Sequence, residues 1–282
     1  MRIGYNTNGL AHHSLPDAIK LLAALGYQSV AITIDHAALN PYEKGFERHL
    51  VETRLLLDDL NMSSVIETGG RFLLDPFYKH QPTLLSPPSS RPRRIEFLRH
   101  CIDIADALGS DCVSLWSGAL PPGEARDNGF CRLIEGLHII LEYADRRHVK
   151  IGFEPEPGML IDTMASFAEL VERIDSPNLQ LTLDIGHLHC LGESPIENHV
   201  RCWADQIVNV HIEDMKAGAH EHLMFGEGEI DFVPVLAALS EIDYQGGLHV
   251  ELSRHSHTGP TTAKQAYSFL SSKTKSIGAS GV

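Results

Sequence analysis

LTLDIGHLHC, residues 181–190, begins as a buried strand and ends in charge. Leu181 and Leu183 sit either side of Thr182, in an apolar run suited to a strand covered on both faces. Asp184 closes the run, and His187 and His189 follow within one short turn. Whether that acid is an accident or a site depends on what precedes and follows the strand.

On both sides the same unit recurs. Strands are expected at 2–7, 28–35, 63–68, 111–116, 149–154, 179–184, 206–211 and 246–251. Helical stretches fall between or after them, at 14–25, 44–60, 93–108, 126–147, 163–174, 195–203, 231–241 and 260–273. Ser14 is the expected N-cap of the first helix, with Asp17 three residues on, and Gly26 follows its end. Regular alternation of strand and helix means parallel strands joined by helical crossovers. Eight units without a break in composition predict a closed (β/α)8 TIM barrel, a single α/β domain over residues 1–282, with the tail SSKTKSIGASGV (271–282) expected to fray. An open doubly wound sheet would carry a glycine-rich phosphate turn after the first strand, and NTNGLAHH has no GxGxxG.

Composition narrows the function classes. Hydrophobic residues make up 43% and charged residues 21%, ordinary for a globular chain. The formal charge of −14 repels phosphate backbones, so nucleic acid is not the expected partner. Five scattered cysteines, with no CxxC pair, suit a reducing compartment. There is no apolar signal core at MRIGYNTNGL and no run long enough to span a membrane, so a cytoplasmic location is expected.

In barrels of this kind the chemistry sits where strands end and loops begin. The fifth to eighth strands end in Glu154, Asp184, His211 and Glu251. Neighbouring strands lie about 4.8 Å apart, so four such ends can converge on one point. One carboxylate or imidazole at a strand end is more often a solvated or packing residue; four in register on successive strands are a candidate site. Three carboxylates and an imidazole suit one divalent ion, Mn²⁺, Mg²⁺, Co²⁺ or Zn²⁺, and ligand type alone does not choose among them. His187 could bind substrate or a second ion. Glu156 shares a side with Glu154 by period-two alternation and is a candidate for orienting a ligand or moving a proton. Asp214 and His222 could complete a second ion site or orient ligands. The long loop after the third strand offers Arg71 and Lys79 for a substrate oxygen or anion, besides Glu67, Asp75 and His80. Trp116, ending the fourth strand, could present a face to sugar C–H groups. HExxH and GxSxG are absent.

At GFEPEPG, LTLDIGHLH, VNVHIEDM, HLMFGEGEID and GGLHVELSR the chain resembles the xylose-isomerase-like TIM-barrel superfamily, AP endonuclease family 2. That superfamily includes sugar and sugar phosphate isomerases and epimerases, inosose dehydratases and the endonuclease IV group. The resemblance implies that Glu154, Asp184, His211 and Glu251 bind a divalent metal and that His187 contacts substrate. It further implies that Glu154 and Glu251 move a proton on opposite faces of a ketose through an enediolate. The 3-epimerases of the superfamily carry an arginine a few residues after the metal histidine, whereas HIEDMKAG offers Lys216 and Ala217.

The expected activity is that of a metal-dependent isomerase or epimerase of a small sugar or keto-polyol. A keto-polyol dehydratase or lyase on the same site is the alternative. An endonuclease-IV-like phosphodiesterase and a non-catalytic sugar-binding barrel rank below both. The expected partner is a small-molecule sugar or polyol, with neither nucleic acid nor membrane; self-association as a homo-oligomer is left open.

Overall fold

The computed structural model describes residues 1–279. Eight parallel strands close into a barrel: β1 (Arg2–Asn6), β2 (Ser29–Thr33), β3 (Ser63–Glu67), β4 (Val113–Leu115), β5 (Ile151–Phe153), β6 (Leu179–Asp184), β7 (Ile207–Ile212) and β10 (Gly247–Val250). Between the last two lies a hairpin outside the barrel, β8 (Asp214–Lys216) with β9 (Ala219–Leu223). Around the ring the order is β1-β10-β7-β6-β5-β4-β3-β2, with β2 back against β1. The alternation of strands and helices thus yields the expected (β/α)8 TIM barrel.

The outer layer comprises α1 (Leu15–Leu25), α2 (Phe46–Asp59), α3 (Arg91–Leu108), α4 (Arg126–Asp145), α5 (Met164–Ile174), α6 (Ile185–Cys190), α7 (Ile196–Cys202), α8 (Phe232–Glu241) and α9 (Gly259–Ala279). Ser14 caps α1 by accepting from the Asp17 amide, and Gly26 ends it at a φ of 101°, where a side chain would be strained. α9 runs through residues expected as a fraying tail, as far as Ala279; residues 280–282 lie outside those described. Among the described residues, no helix is long and apolar enough to cross a membrane. All five cysteines are free.

Strand alternation divides the packing in two. Outward residues such as Val30, Ile32 and Ile66 join the large apolar core between barrel and helices. Ala31, Val65, Cys112 and Val208 form a separate small apolar cluster. Polar side chains continue the interior: Ser29 Oγ lies 2.8 Å from His249 Nε2, and His249 Nδ1 lies 2.7 Å from Asn209 Oδ1. Room for the His249 ring comes from glycine. A Cβ on Gly4 would stand 2.3 Å from that ring, and one on Gly247 2.1 Å.

One irregularity sets the register at the barrel mouth. Leu181 of β6 pairs with Ile207, but Thr182 pairs with Asn209, so Val208 is an extra residue on β7. This bulge brings Asp184 level with His211. Unbroken pairing would have set Asp184 beside Val210, whose side chain belongs to the other face.

Candidate metal centre at the barrel mouth

Glu154 follows β5 directly, Asp184 ends β6, His211 lies in β7, and Glu251 follows β10. These are four neighbouring staves, and each of the four residues offers a ligand atom within 4.8 Å of the other three. His211 Nδ1 is the hub: it is 2.9 Å from Glu154 Oε1, 3.1 Å from Glu251 Oε2 and 3.8 Å from Asp184 Oδ2.

The surroundings orient each group. His211 Nε2 donates to Glu67 Oε1 at 2.8 Å, and Asn209 Nδ2 donates to the same oxygen at 3.2 Å. With Nε2–H committed to Glu67, Nδ1 is the ring atom turned to the three carboxylates; without a cation it carries a proton shared with Glu154, and a bound cation would take that proton's place. Asp184 Oδ1 caps α6 by accepting from the His187 amide at 2.8 Å, while Oδ2 is buried with no hydrogen-bond partner. Asn8 Nδ2 donates to Glu251 Oε1 at 2.8 Å.

The carboxylates do not share one protonation state. Burial pushes Glu154 up to about 7, with His211 pulling the other way. For Asp184 burial also acts upward, but the charges of His187 and His211 outweigh it and hold the carboxyl at about 2. Glu251 likewise lies below its ordinary value, because His211 and His222 outweigh burial. His211 is raised well above the ordinary imidazole value; burial acts downward but Glu67, Glu154 and Glu251 prevail.

This donor set fits a divalent cation. Two buried carboxylates, Glu154 and Asp184, and the half-buried Glu251 meet at one point, and one oxygen, Asp184 Oδ2, has no donor at all. Buried charge of one sign is stable only when paired. Glu154, Asp184, His211 and Glu251 would hold the ion, with hard oxygens dominating the set.

Above the four residues opens a cavity of about 350 Å³, lined by Glu154, His211 and Glu251 on its floor and by Glu156, Trp116 and Arg71 among its walls. The Trp116 ring meets His80 edge-on at 5.4 Å, and the Arg94 guanidinium carbon lies 5.3 Å from the Trp116 centroid. Arg94 itself is buried and donates to the carbonyls of Thr68, His80 and Pro82, which ties the long loop after β3 to α3. Arg71 donates to the Asn8 carbonyl at 3.0 Å.

Other expected residues are placed differently. His187 is 4% exposed and is not among the residues lining the cavity; its Nδ1 lies 3.1 Å from the Pro155 carbonyl and its Nε2 3.1 Å from His220 Nε2. Burial lowers its imidazole to about 4. His222 joins His187 and His220 in a three-imidazole group. Its Nδ1 stands 3.9 Å from Glu213, a fully buried carboxylate packed against Gly186, where a Cβ would lie 2.0 Å from Oε1. Asp214 is in none of the groups of side chains that could hold an ion among the described residues. Its oxygens accept from the backbone amides of Met215, Gly226 and Ile230, so its charge is spent holding the β8–β9 hairpin and the loop after it.

Local sequence pattern does not single out Asn8, Asn209 or Glu213, and Glu67, expected with the loop after the third strand, is the last residue of β3. In the folded protein the first three strands end at Asn6, Thr33 and Glu67, all of which line the cavity; the expected strands run one or two residues further, to Thr7, Asp35 and Thr68, so the strand-end rule misses them.

Known proteins similar to this chain are found at several distances. The family model for a xylose isomerase-like TIM barrel matches residues 19–273. An uncharacterized protein of Methanocaldococcus jannaschii, MJ1311, is 34% identical over 211 residues, 69% of this chain and 70% of the relative. L-ribulose-5-phosphate 3-epimerase UlaE of Salmonella paratyphi C is 26% identical over 238 residues, 84% of this chain and 81% of the relative. Among solved structures, a D-tagatose 3-epimerase-like protein superposes with a TM-score of 0.76 at 25% identity, covering 97% of this chain and 99% of its own. With the family model spanning nearly every stave that carries the barrel-mouth residues, this chain belongs to the xylose isomerase-like TIM-barrel family.

Proposed function

We propose that this protein is a divalent-metal-dependent isomerase or epimerase of a small ketose or keto-polyol. The observation that carries the reading is the convergence of Glu154, Asp184, His211 and Glu251, three of which, Glu154, His211 and Glu251, line the floor of a cavity large enough for a sugar. Its similarity to sugar 3-epimerases supports the same reaction class.

A proton on a carbon beside a carbonyl is weakly acidic in water, and a divalent cation at this centre supplies the positive charge that stabilises negative charge building on oxygen. Glu154 and Glu251 approach His211 Nδ1 from two different staves, β5 and β10, that do not neighbour each other in the ring. One carboxylate takes the proton from carbon, and the electron pair of the C–H bond moves toward the carbonyl oxygen, giving an enediolate. The other carboxylate returns a proton from the opposite face. Return to the same carbon inverts it; return to the adjacent carbon converts ketose to aldose. Glu154, held near neutrality by burial, and Glu251, held ionised, are suited to opposite halves of that exchange.

A second reading, dehydration, is favoured by Glu156. Burial raises its carboxyl well above the ordinary range, and it lines the cavity, so it is placed to protonate a departing hydroxyl.

Incubation with ketoses in deuterated water with Mn²⁺ tests both. Deuterium entering the recovered sugar, dependent on added metal, is the expected result. An absorbing enone or diketone product would transfer the assignment to the lyase. Absence of exchange and of product across ketopentoses, ketohexoses, their phosphates and inososes would end the enediolate reading.

A further inference from the structure

Around the candidate site, charge is sorted by depth. Carboxylates gather on the floor of the cavity, whereas its cations, Arg71, Lys79 and Arg254, are shared with a second cavity of about 420 Å³. The second cavity adds His12, Ser256 and His257 and no carboxylate. In a chain of net charge −14, this is a local reversal of sign, placed where the inner cavity meets the outer one.

The three cations are only partly neutralised by the protein. Arg71 approaches Asp35 at 3.4 Å, and Arg254 pairs with Glu221 on the exposed hairpin strand β9. Lys79 is exposed and, among the described residues, has no ion pair. Arg71 is also held in place: its backbone φ is 41°, its carbonyl accepts from the His80 amide at 2.6 Å, and its guanidinium donates to the carbonyl of Asn8. Asn8 in turn donates to Glu251, so a single residue connects the cationic rim to the metal centre.

We propose that the substrate carries a phosphate monoester at the end remote from its carbonyl, and that Arg71, Lys79 and Arg254 seat that phosphate. This rests on the ketose reading above and names its substrate class. A phosphate monoester bears nearly two negative charges at neutral pH and three acceptor oxygens, which matches two guanidinium groups and an ammonium better than a single carboxylate does. A small sugar of this kind has a neutral carbonyl end for the acidic floor with its cation, and an anionic end for the rim. An unphosphorylated ketose would leave Lys79 without an ion pair and the two arginines with their protein partners alone.

Two measurements separate this inference from the reading it rests on. The first is calorimetric titration of metal-free protein with inorganic phosphate at low ionic strength. Saturable binding is expected, weakened at least tenfold in the Lys79→Ala/Arg254→Ala double variant; no binding, or equal binding by both proteins, overturns the seat. The second compares kcat/KM for a ketopentose 5-phosphate and the same ketopentose without phosphate, with Mn²⁺ present. The phosphorylated sugar is expected to lead by at least 100-fold, and the double variant to cut that ratio at least tenfold, chiefly through KM. Equal kcat/KM for the two sugars, or a ketose acid preferred over the phosphate, overturns the proposal while leaving ketose turnover standing. Phosphate bound at the rim with neither ketose turned over would keep the seat and remove the isomerase reading.

Discussion

Glu67 and His211 stand 144 residues apart in the chain, yet Glu67 Oε1 accepts from His211 Nε2 at 2.8 Å across the barrel interior. The contact joins β3 to β7, which are not neighbours in the ring. It fixes which ring nitrogen carries hydrogen and so directs Nδ1 at the three carboxylates. Glu67→Gln keeps the size but replaces a charged acceptor with a weaker neutral one. Metal affinity is expected to fall 10- to 100-fold, the usual effect of removing such a partner. Competition against a coloured chelator measures it, and affinity equal to wild type would deny Glu67 that role.

Glu154→Gln and Glu251→Gln are each expected to lower turnover by at least 100-fold, in line with the loss of a proton-transferring group. Both residues border an open cavity, so the far-ultraviolet spectrum and cooperative melt should persist. Near-normal turnover of the true substrate in either variant would remove that residue from proton transfer.

Added Mn²⁺ should raise the melting temperature, since the ion binds the folded state and the three carboxylates repel one another without it. At a hundredfold excess over Kd the gain is about 2.7 kcal/mol. A chelator should reverse it. Asp184→Asn should blunt both the shift and the metal content of purified protein; unchanged content by elemental analysis would contradict ligation by Asp184.

His80 gives a pH signature away from the carboxylates. Burial lowers its imidazole to about 4, while its Nδ1 stays 2.6 Å from the Gly69 carbonyl. Between about pH 4 and the ordinary 6.5, the unfolded chain therefore binds the proton and the folded chain does not. The His80 contribution is full above pH 6.5 and is lost as pH falls toward 4, by at most about 1.4 kcal/mol per pH unit. The advantage of wild type over His80→Gln in urea unfolding should shrink from pH 7 to pH 5. An advantage that grows on acidification would refute the assignment.

Gly4→Ala would drive a methyl group to 2.3 Å from the His249 ring, which is enclosed by the barrel. Overpacking of this kind costs about 1–3 kcal/mol, and the melting temperature should drop by several degrees. A melt indistinguishable from wild type would mean that the ring relocates freely, at odds with its contacts to Ser29 and Asn209.

Local pattern carried a large part of this protein. Strand and helix periods are properties of adjacent residues, so eight alternating units and their closure were readable from the chain, and with them the strand ends holding Glu154, Asp184, His211 and Glu251. Long-range facts were not readable, because they depend on which staves meet and at what height. The extra residue Val208 levels Asp184 with His211. Closure sets Asn8, from the start of the chain, against Glu251, near its end. The β8–β9 hairpin brings His220 to His187 and turns Asp214 toward backbone amides instead. Residue order determined which groups reach the mouth of the barrel; the stagger and closure of the strands decided which of them touch, since a contact between distant residues is a property of the folded backbone and not of any segment.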